Sequence, residues 1–161
     1  MKRIAILALT VCVLAGCGQP EPKQAEKTPA VSPDQGREVS DGHIQTAVGY
    51  LQEAQVAEAI AEFDKAIRSD PSNVQAYLLL AQVYMRMNEF DRAVDTYLAA
   101  QRVEPDSGEI YYLLAIANGL RGQKDLAVQN AEKSLMIFQK EQNQENFRRA
   151  LALLQGLAEE E

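Results

Sequence analysis

The residue types that most often carry chemistry are scarce in this chain. It has one histidine, His43, and two cysteines, Cys12 and Cys17. A cysteine and histidine metal centre needs several such ligands, and a nucleophilic cysteine needs a neighbouring base. No glycine-rich phosphate loop is present, and the carboxylates are spread along the sequence. We therefore expect no enzyme, no catalytic residue, no metal and no cofactor, and we interpret His43 as a packing residue at the edge of the fold.

Cys17 stands in a specific context. Lys2 and Arg3 precede an apolar run over residues 4–13, which leads into Leu14-Ala15-Gly16-Cys17. The run is well short of the roughly 20 residues that span a bilayer, so residues 1–16 are predicted to be a secretory signal peptide. The last four residues resemble the bacterial lipobox. That resemblance implies a mature chain that begins at Cys17, with diacylglycerol on its thiol and an acyl chain such as palmitate on its amine. The alternative is an ordinary signal peptide with a chance cysteine.

The lipid would anchor the mature chain to a membrane, because each buried methylene contributes about 0.8 kcal/mol. Gly18 follows the cysteine, and in lipoproteins of the common Gram-negative type the absence of aspartate there favours the outer membrane over the inner one. Residues 17–40 are rich in Pro, Gln, Lys, Glu and Ser and carry no apolar period. They are predicted to be a disordered tether, with an irregular arm packed on the domain as the alternative.

The remaining composition indicates one all-α domain. The chain has 161 residues and no tryptophan, with abundant alanine and leucine, which favours closely packed helices. Its formal net charge is −7 and no basic patch or arm is visible. Because phosphate backbones would be repelled, we expect no nucleic-acid partner.

Residues 74–107 read as one helix–turn–helix unit whose pattern recurs 34 residues away on both sides. The defining residues of this unit are Tyr77, Leu80, Ala81, Tyr84, Ala93, Tyr97, Ala100 and Pro105. The preceding unit repeats six of these positions, as Ala47, Tyr50, Ala59, Phe63, Ala66 and Pro71. The following unit keeps Tyr111, Leu114, Ala115, Ala127 and Ser134, but has Asn118, Ala131 and Gln139 in place of two aromatics and the proline.

This pattern resembles the tetratricopeptide repeat. The resemblance implies an α-solenoid of three repeats, at about residues 40–73, 74–107 and 108–141, within a repeat region of residues 41–141. Small residues let paired helices approach closely, and each proline ends a second helix. Helices are predicted at residues 42–52, 55–69, 73–86, 89–102, 107–120 and 123–140.

A seventh helix is predicted over residues 144–158, within a C-terminal segment, 142–161, that ends in an acidic tail. Its predicted apolar stripe is Phe147, Leu151, Leu154 and Ala158. Such a stripe needs a surface to cover, so we interpret this helix as the cap of the last repeat.

The resemblance also indicates a binding surface, because in this family the first helices of the repeats line a concave groove that holds peptides or partner helices. The corresponding positions here are Ile44, Val48, Leu51, Gln52, Leu78, Gln82, Met85, Arg86, Tyr112, Ile116 and Leu120. Most are apolar, so the terminal-carboxylate clamp of some relatives is not supported. Exposed apolar surface of this kind favours a covering partner.

These features lead to two hypotheses about the function. In the first, the protein is a membrane-anchored periplasmic scaffold that binds another envelope protein through the groove, similar to the short tetratricopeptide lipoproteins and pilotins that serve pilus, secretion or envelope assembly. In the second, it is a structural or homo-oligomeric lipoprotein whose groove is covered by the chain itself or by a second copy.

Overall fold

The computed structural model describes residues 33–159 of the chain, and within them all regular structure is helical. The seven helices are α1 (Pro33–Gln52), α2 (Val56–Ser69), α3 (Val74–Arg86), α4 (Phe90–Val103), α5 (Gly108–Leu120), α6 (Lys124–Lys140) and α7 (Gln144–Glu159). The all-α prediction is confirmed, and the predicted bounds of the last six helices agree to within one residue at each end. The predicted signal peptide, the lipidated Cys17 and residues 17–32 of the tether lie outside the described part.

The prediction for the first helix is wrong, because α1 begins at Pro33 rather than at residue 42. Residues 33–40 of the predicted tether are therefore helical. Proline suits the first turn of a helix, and Asp34 favours the positive end of its dipole.

Packing explains why this polar turn is ordered. A Cβ at Gly36 would lie 2.8 Å from the carbonyl oxygen of Ser69, so only glycine permits this approach of α1 to the end of α2. Ser40 is fully buried, and its Oγ accepts a hydrogen bond from Asn73 Nδ2 at 3.0 Å. The same amide donates to Asp41 Oδ1 at 2.9 Å. The beginning of α3 thus holds α1 from the side.

The helices pack as three successive hairpins, α1 with α2, α3 with α4 and α5 with α6, and each hairpin contacts the next. Alanines at the predicted close approaches have no exposed surface: Ala47, Ala59, Ala66, Ala81, Ala93, Ala100, Ala115 and Ala127. Phe63 and Tyr97 fill the same position in the first two repeats and are also fully buried. The small and large positions read from the sequence therefore form the core.

The turns repeat as regularly as the helices. The first helix of each repeat is followed by a residue with left-handed backbone: Ala54, Asn88 and Gly122, at φ 59°, 59° and 79°. Each turn also has an amide that reaches back five residues, as in the bond from Glu89 N to Tyr84 O at 2.9 Å. These bonds satisfy carbonyls that the helix ends leave free. The 34-residue period is thus present in the backbone as well as in the side chains.

The third repeat ends differently. α6 has 17 residues where α2 and α4 have 14, in agreement with the absence of a proline near position 139. The longer helix places Phe138 against Gly108, where an added Cβ would lie only 2.7 Å from the ring. Phe138 is buried, and α7 then packs on α6 and contacts α5.

The predicted stripe of α7 is partly wrong. Leu151 is 38% exposed and Ala158 is also exposed, whereas Ala150 and Leu157 are buried, with Leu153 and Leu154 packed beside them. The buried face is thus rotated from the predicted one, because α7 meets α5 as well as α6. Leu157 lies 3.4 Å from a Cβ built on Gly119, so α7 covers the outer side of the third repeat as a cap should.

Candidate functional site

The first helices of the second and third repeats are nearly free of charge. α3 has Arg86 as its single charged residue, and α5 has Glu109. The partner helices carry four charged residues in α4 and five in α6. Charge is therefore concentrated on the second helices. Because charged residues are depleted at the centre of protein interfaces, the surface formed by α3 and α5 is the candidate binding face.

The structure gives the eleven predicted groove residues three different environments. Ile44 is only 6% exposed and belongs to the core, so its side chain offers no surface to a partner. Its inclusion is corrected: the repeat pattern placed it on the groove side, but it packs inward. Five are exposed, namely Val48, Gln52, Gln82, Arg86 and Leu120, and five others are half-buried: Leu51, Leu78, Met85, Tyr112 and Ile116.

Leu51, Leu78 and Met85 pack against the same core cluster. Their inner surfaces are held by the core, while their outer surfaces remain accessible. Side chains fixed in this way lose little conformational entropy when a partner covers them, which favours binding. Methionine also adapts its shape to different partners.

Tyr112 belongs to a separate group of residues where α5 meets α7. The guanidinium carbon of Arg149 lies 5.0 Å from the centre of the Tyr112 ring, and Arg149 Nη1 donates to Asn146 Oδ1 at 3.0 Å. A cavity of about 70 Å³ lies here, lined by Glu109, Tyr112, Leu113, Phe138, Asn146 and Arg149. The end of the candidate face is thus polar, in contrast to its centre.

Sequence reasoning did not find Arg149 and Asn146 as site residues. Both lie on α7, and their position beside Tyr112 depends on the extra residues of α6 and on the rotation of α7. The one available signal is the pair of adjacent arginines, Arg148 and Arg149, in this amphipathic helix.

His43 lies away from these residues, in the first hairpin. Its Nδ1 is 2.6 Å from Glu62 Oε2, and the other carboxylate oxygen of Glu62 accepts a hydrogen bond from Lys65. The Lys65 and His43 hydrogen bonds lower the pKa of Glu62. His43 therefore ties α1 to α2. Within residues 33–159, no group of three histidine, cysteine or acidic residues is arranged to hold a metal ion.

None of the helices in the described range combines the length and apolar character needed to cross a membrane. The described residues thus form a helical array whose most uncharged surface lies on α3 and α5, with an arginine stacked at one end.

Comparisons with known proteins agree with this architecture. A tetratricopeptide repeat family model matches residues 50–117. The type IV pilus assembly protein PilF of Pseudomonas aeruginosa is 33% identical over 99 residues, which cover 61% of this chain and 37% of that protein. The chain therefore matches well under half the length of this relative.

Two solved structures have the same fold. The N-terminal domain of stress-induced protein-1 (STI-1) from C. elegans superposes with a TM-score of 0.64 at 22% identity, covering 73% of this chain and 96% of that one. The TPR2B domain of yeast Sti1, solved in complex with pHsp70, gives 0.69 at 14% identity, covering 77% and 99%. The described residues thus have the fold of a tetratricopeptide-repeat α-solenoid.

Proposed function

We propose that this tetratricopeptide-repeat protein is a non-catalytic scaffold that holds a segment of another protein against α3 and α5. The observation that carries the proposal is the contrast in charge, since each of these helices has one charged residue while α4 and α6 have four and five. Leu78, Met85 and Ile116 supply partly accessible apolar surface on the uncharged side. An amphipathic helix or an extended apolar segment would cover such a surface.

We propose further that the scaffold is a periplasmic lipoprotein, anchored through Cys17 to the outer membrane, with the inner membrane as the alternative. The support is the sequence of residues 1–18. The partner would then be another envelope protein. The similarity to a type IV pilus assembly protein favours a role in assembling a pilus or a related envelope complex.

The anchor is tested by metabolic labelling with a fatty acid. The wild-type chain should incorporate the label, and Cys17→Ala should not. Label in the Cys17→Ala variant would contradict the proposed anchor, and it would leave the binding face untouched because α3 and α5 lie far along the chain from Cys17.

The binding face is tested by affinity capture from the native host with the full chain. Leu78→Glu places a charge on the proposed face, whereas Leu98→Glu makes the same change on α4, where Leu98 is 37% exposed. A partner should be lost with Leu78→Glu and retained with Leu98→Glu. Gln82→Glu repeats the test at an exposed position where unfolding is not expected.

Equal capture by all variants would contradict the proposed face. Capture of the same chain alone, lost in Leu78→Glu and Gln82→Glu, would replace the scaffold by the homo-oligomer.

A further inference from the structure

The arginine at the end of the candidate face is oriented by two neighbouring side chains. Arg149 stacks on Tyr112 and donates one hydrogen bond to Asn146. A guanidinium group has five N–H donors in one plane, so two contacts orient the plane and leave most of its donors open. An arginine restrained in this way loses less entropy on binding than a free surface arginine does.

The charge of Arg149 is not neutralised within residues 33–159. Its guanidinium forms no ion pair there, although Arg92 and Arg121 each pair with an acidic residue. Glu109 lines the same cavity, but it forms no ion pair with Arg149. The cavity therefore contains an open cation on one side and a carboxylate on another.

The size and lining of the cavity limit what can enter. Its volume is about 70 Å³, so only a small chemical group can enter. Phe138, Leu113 and Tyr112 form its apolar part. A carboxylate fits this space and is the group that a guanidinium binds with paired, charge-assisted hydrogen bonds.

We infer that Arg149, stacked on Tyr112, binds a side-chain carboxylate of the partner, and that the partner segment is amphipathic, with apolar residues over α3 and α5 and an aspartate or glutamate at the α7 end. This inference rests on the proposed scaffold function and adds the chemistry of the partner. Acidic residues elsewhere on the chain do not prevent it, because exposed charges are largely screened beyond about 8 Å at physiological ionic strength. Glu109 lines the cavity itself but is exposed, so its charge is hydrated.

A random-peptide phage library, selected on the immobilised full chain, tests the inference by charge exchange. Four forms are selected in parallel: wild type, Arg149→Glu, Arg148→Glu and Leu78→Glu. Arg148 is the matched control, because it is the neighbouring arginine on α7 and is also exposed. Selection on wild type and on Arg148→Glu should enrich apolar peptides that carry Asp or Glu, whereas Arg149→Glu should enrich Lys or Arg at the same place.

A synthetic peptide from the wild-type selection gives the magnitude. Its affinity should fall about fivefold for Arg149→Gln, the effect of a partly exposed ion pair, and should be unchanged for Arg148→Gln. Circular dichroism of each variant checks that the fold is intact.

The outcomes separate the two proposals. If peptides are enriched and depend on Leu78, but have the same charge on wild type and Arg149→Glu, the carboxylate site is overturned and the binding face stands. An equal change in Arg148→Glu would also overturn it, since the effect would then come from net charge. If no enriched peptide loses binding with Leu78→Glu, the binding face itself is contradicted.

Discussion

The second and third repeats place different side chains on the same backbone. In the second, Tyr84 accepts a hydrogen bond from Arg92 at 2.7 Å, and the guanidinium carbon of Arg92 lies 4.0 Å from the ring centre. The equivalent residues of the third repeat, 34 positions on, are Asn118 and Leu126. Asn118 is 3% exposed, and its Oδ1 accepts no hydrogen bond from any of residues 33–159, whereas Leu126 is 41% exposed.

The difference shows how the third repeat is completed. The second repeat also has Tyr97, fully buried, where the third has Ala131. Phe138 from the longer α6 and Leu157 from α7 supply apolar volume around the third repeat instead. Because α7 is part of this packing, the position of Arg149 beside Tyr112 is fixed by the fold. The third repeat, which departs most from the repeat pattern, thus provides the polar end of the candidate face.

The largest expected effect comes from removing the ring of Tyr97, which is in the second repeat and has no aromatic equivalent in the third. Tyr97→Ala should lower the free energy of unfolding by about 3–5 kcal/mol, because it leaves a large cavity in the core. Urea unfolding measures this loss. Leu98→Ala, the exposed neighbour, should change it by less than about 0.5 kcal/mol. A similar loss for both variants would show that the ring at position 97 does not anchor the second repeat.

Alkaline pH should act on the same residue. Burial, with a further contribution from Glu109, raises the pKa of Tyr97 to about 12. Because this folded-state pKa lies above the usual value of about 10, the stabilisation is fully present below pH 10 and is lost as the pH rises towards 12. The loss should be on the order of 2–3 kcal/mol. Unfolding free energies of wild type and Tyr97→Phe, measured across this range, should diverge, and parallel curves would contradict the assignment.

Replacing Asn118, the third-repeat equivalent of Tyr84, should stabilise the protein. Asn118→Leu removes a buried amide oxygen without a partner, so the free energy of unfolding should rise by about 1–2 kcal/mol. Asn130→Leu is the matched control, because Asn118 and Asn130 each donate to the carbonyl four residues earlier, but Asn130 is only half-buried. A loss of stability in Asn118→Leu would indicate that its oxygen is satisfied by a bound water.

The smallest effect on the free energy of unfolding is expected from breaking the contact between Arg92 and Tyr84, a pair that only the second repeat has. Arg92→Met removes the stacking and the hydrogen bond to Tyr84 and should lower the free energy of unfolding by less than the Tyr97 changes above. The ion pair of Arg92 with Glu89 adds little, because the arginine side chain is 55% exposed. Arg102→Met, on the exposed side of the same helix, is the control in urea unfolding. Equal stabilities of Arg92→Met and Arg102→Met would show that Tyr84 is held in place by packing alone.

Particular residues show how much of the fold can be predicted from the sequence. The alanines, Phe63, Tyr97 and the prolines recur at a fixed offset, and that offset was enough to predict six helices and their pairing. The first turns of α1 were missed, because their order depends on Gly36 approaching Ser69 and on Asn73 bonding Ser40. Such contacts join residues that are distant in sequence and leave no periodic signal.

The candidate face was predicted only in part for the same reason. Leu78 and Met85 follow from repeat positions alone, whereas Ile44 proved to be buried. Arg149 could not be placed, because its contact with Tyr112 depends on where α6 ends and on how α7 is rotated. These are properties of packing between helices.

Photo-crosslinking in cells tests the central claim, that α3 and α5 hold another protein, most directly. A photoreactive residue would replace Gln82 on α3 or Asp95 on α4, both of which are exposed. We expect an adduct with a different protein from position 82 and none from position 95. Equal adducts from both positions, or adducts with a second copy of the chain alone, would contradict it.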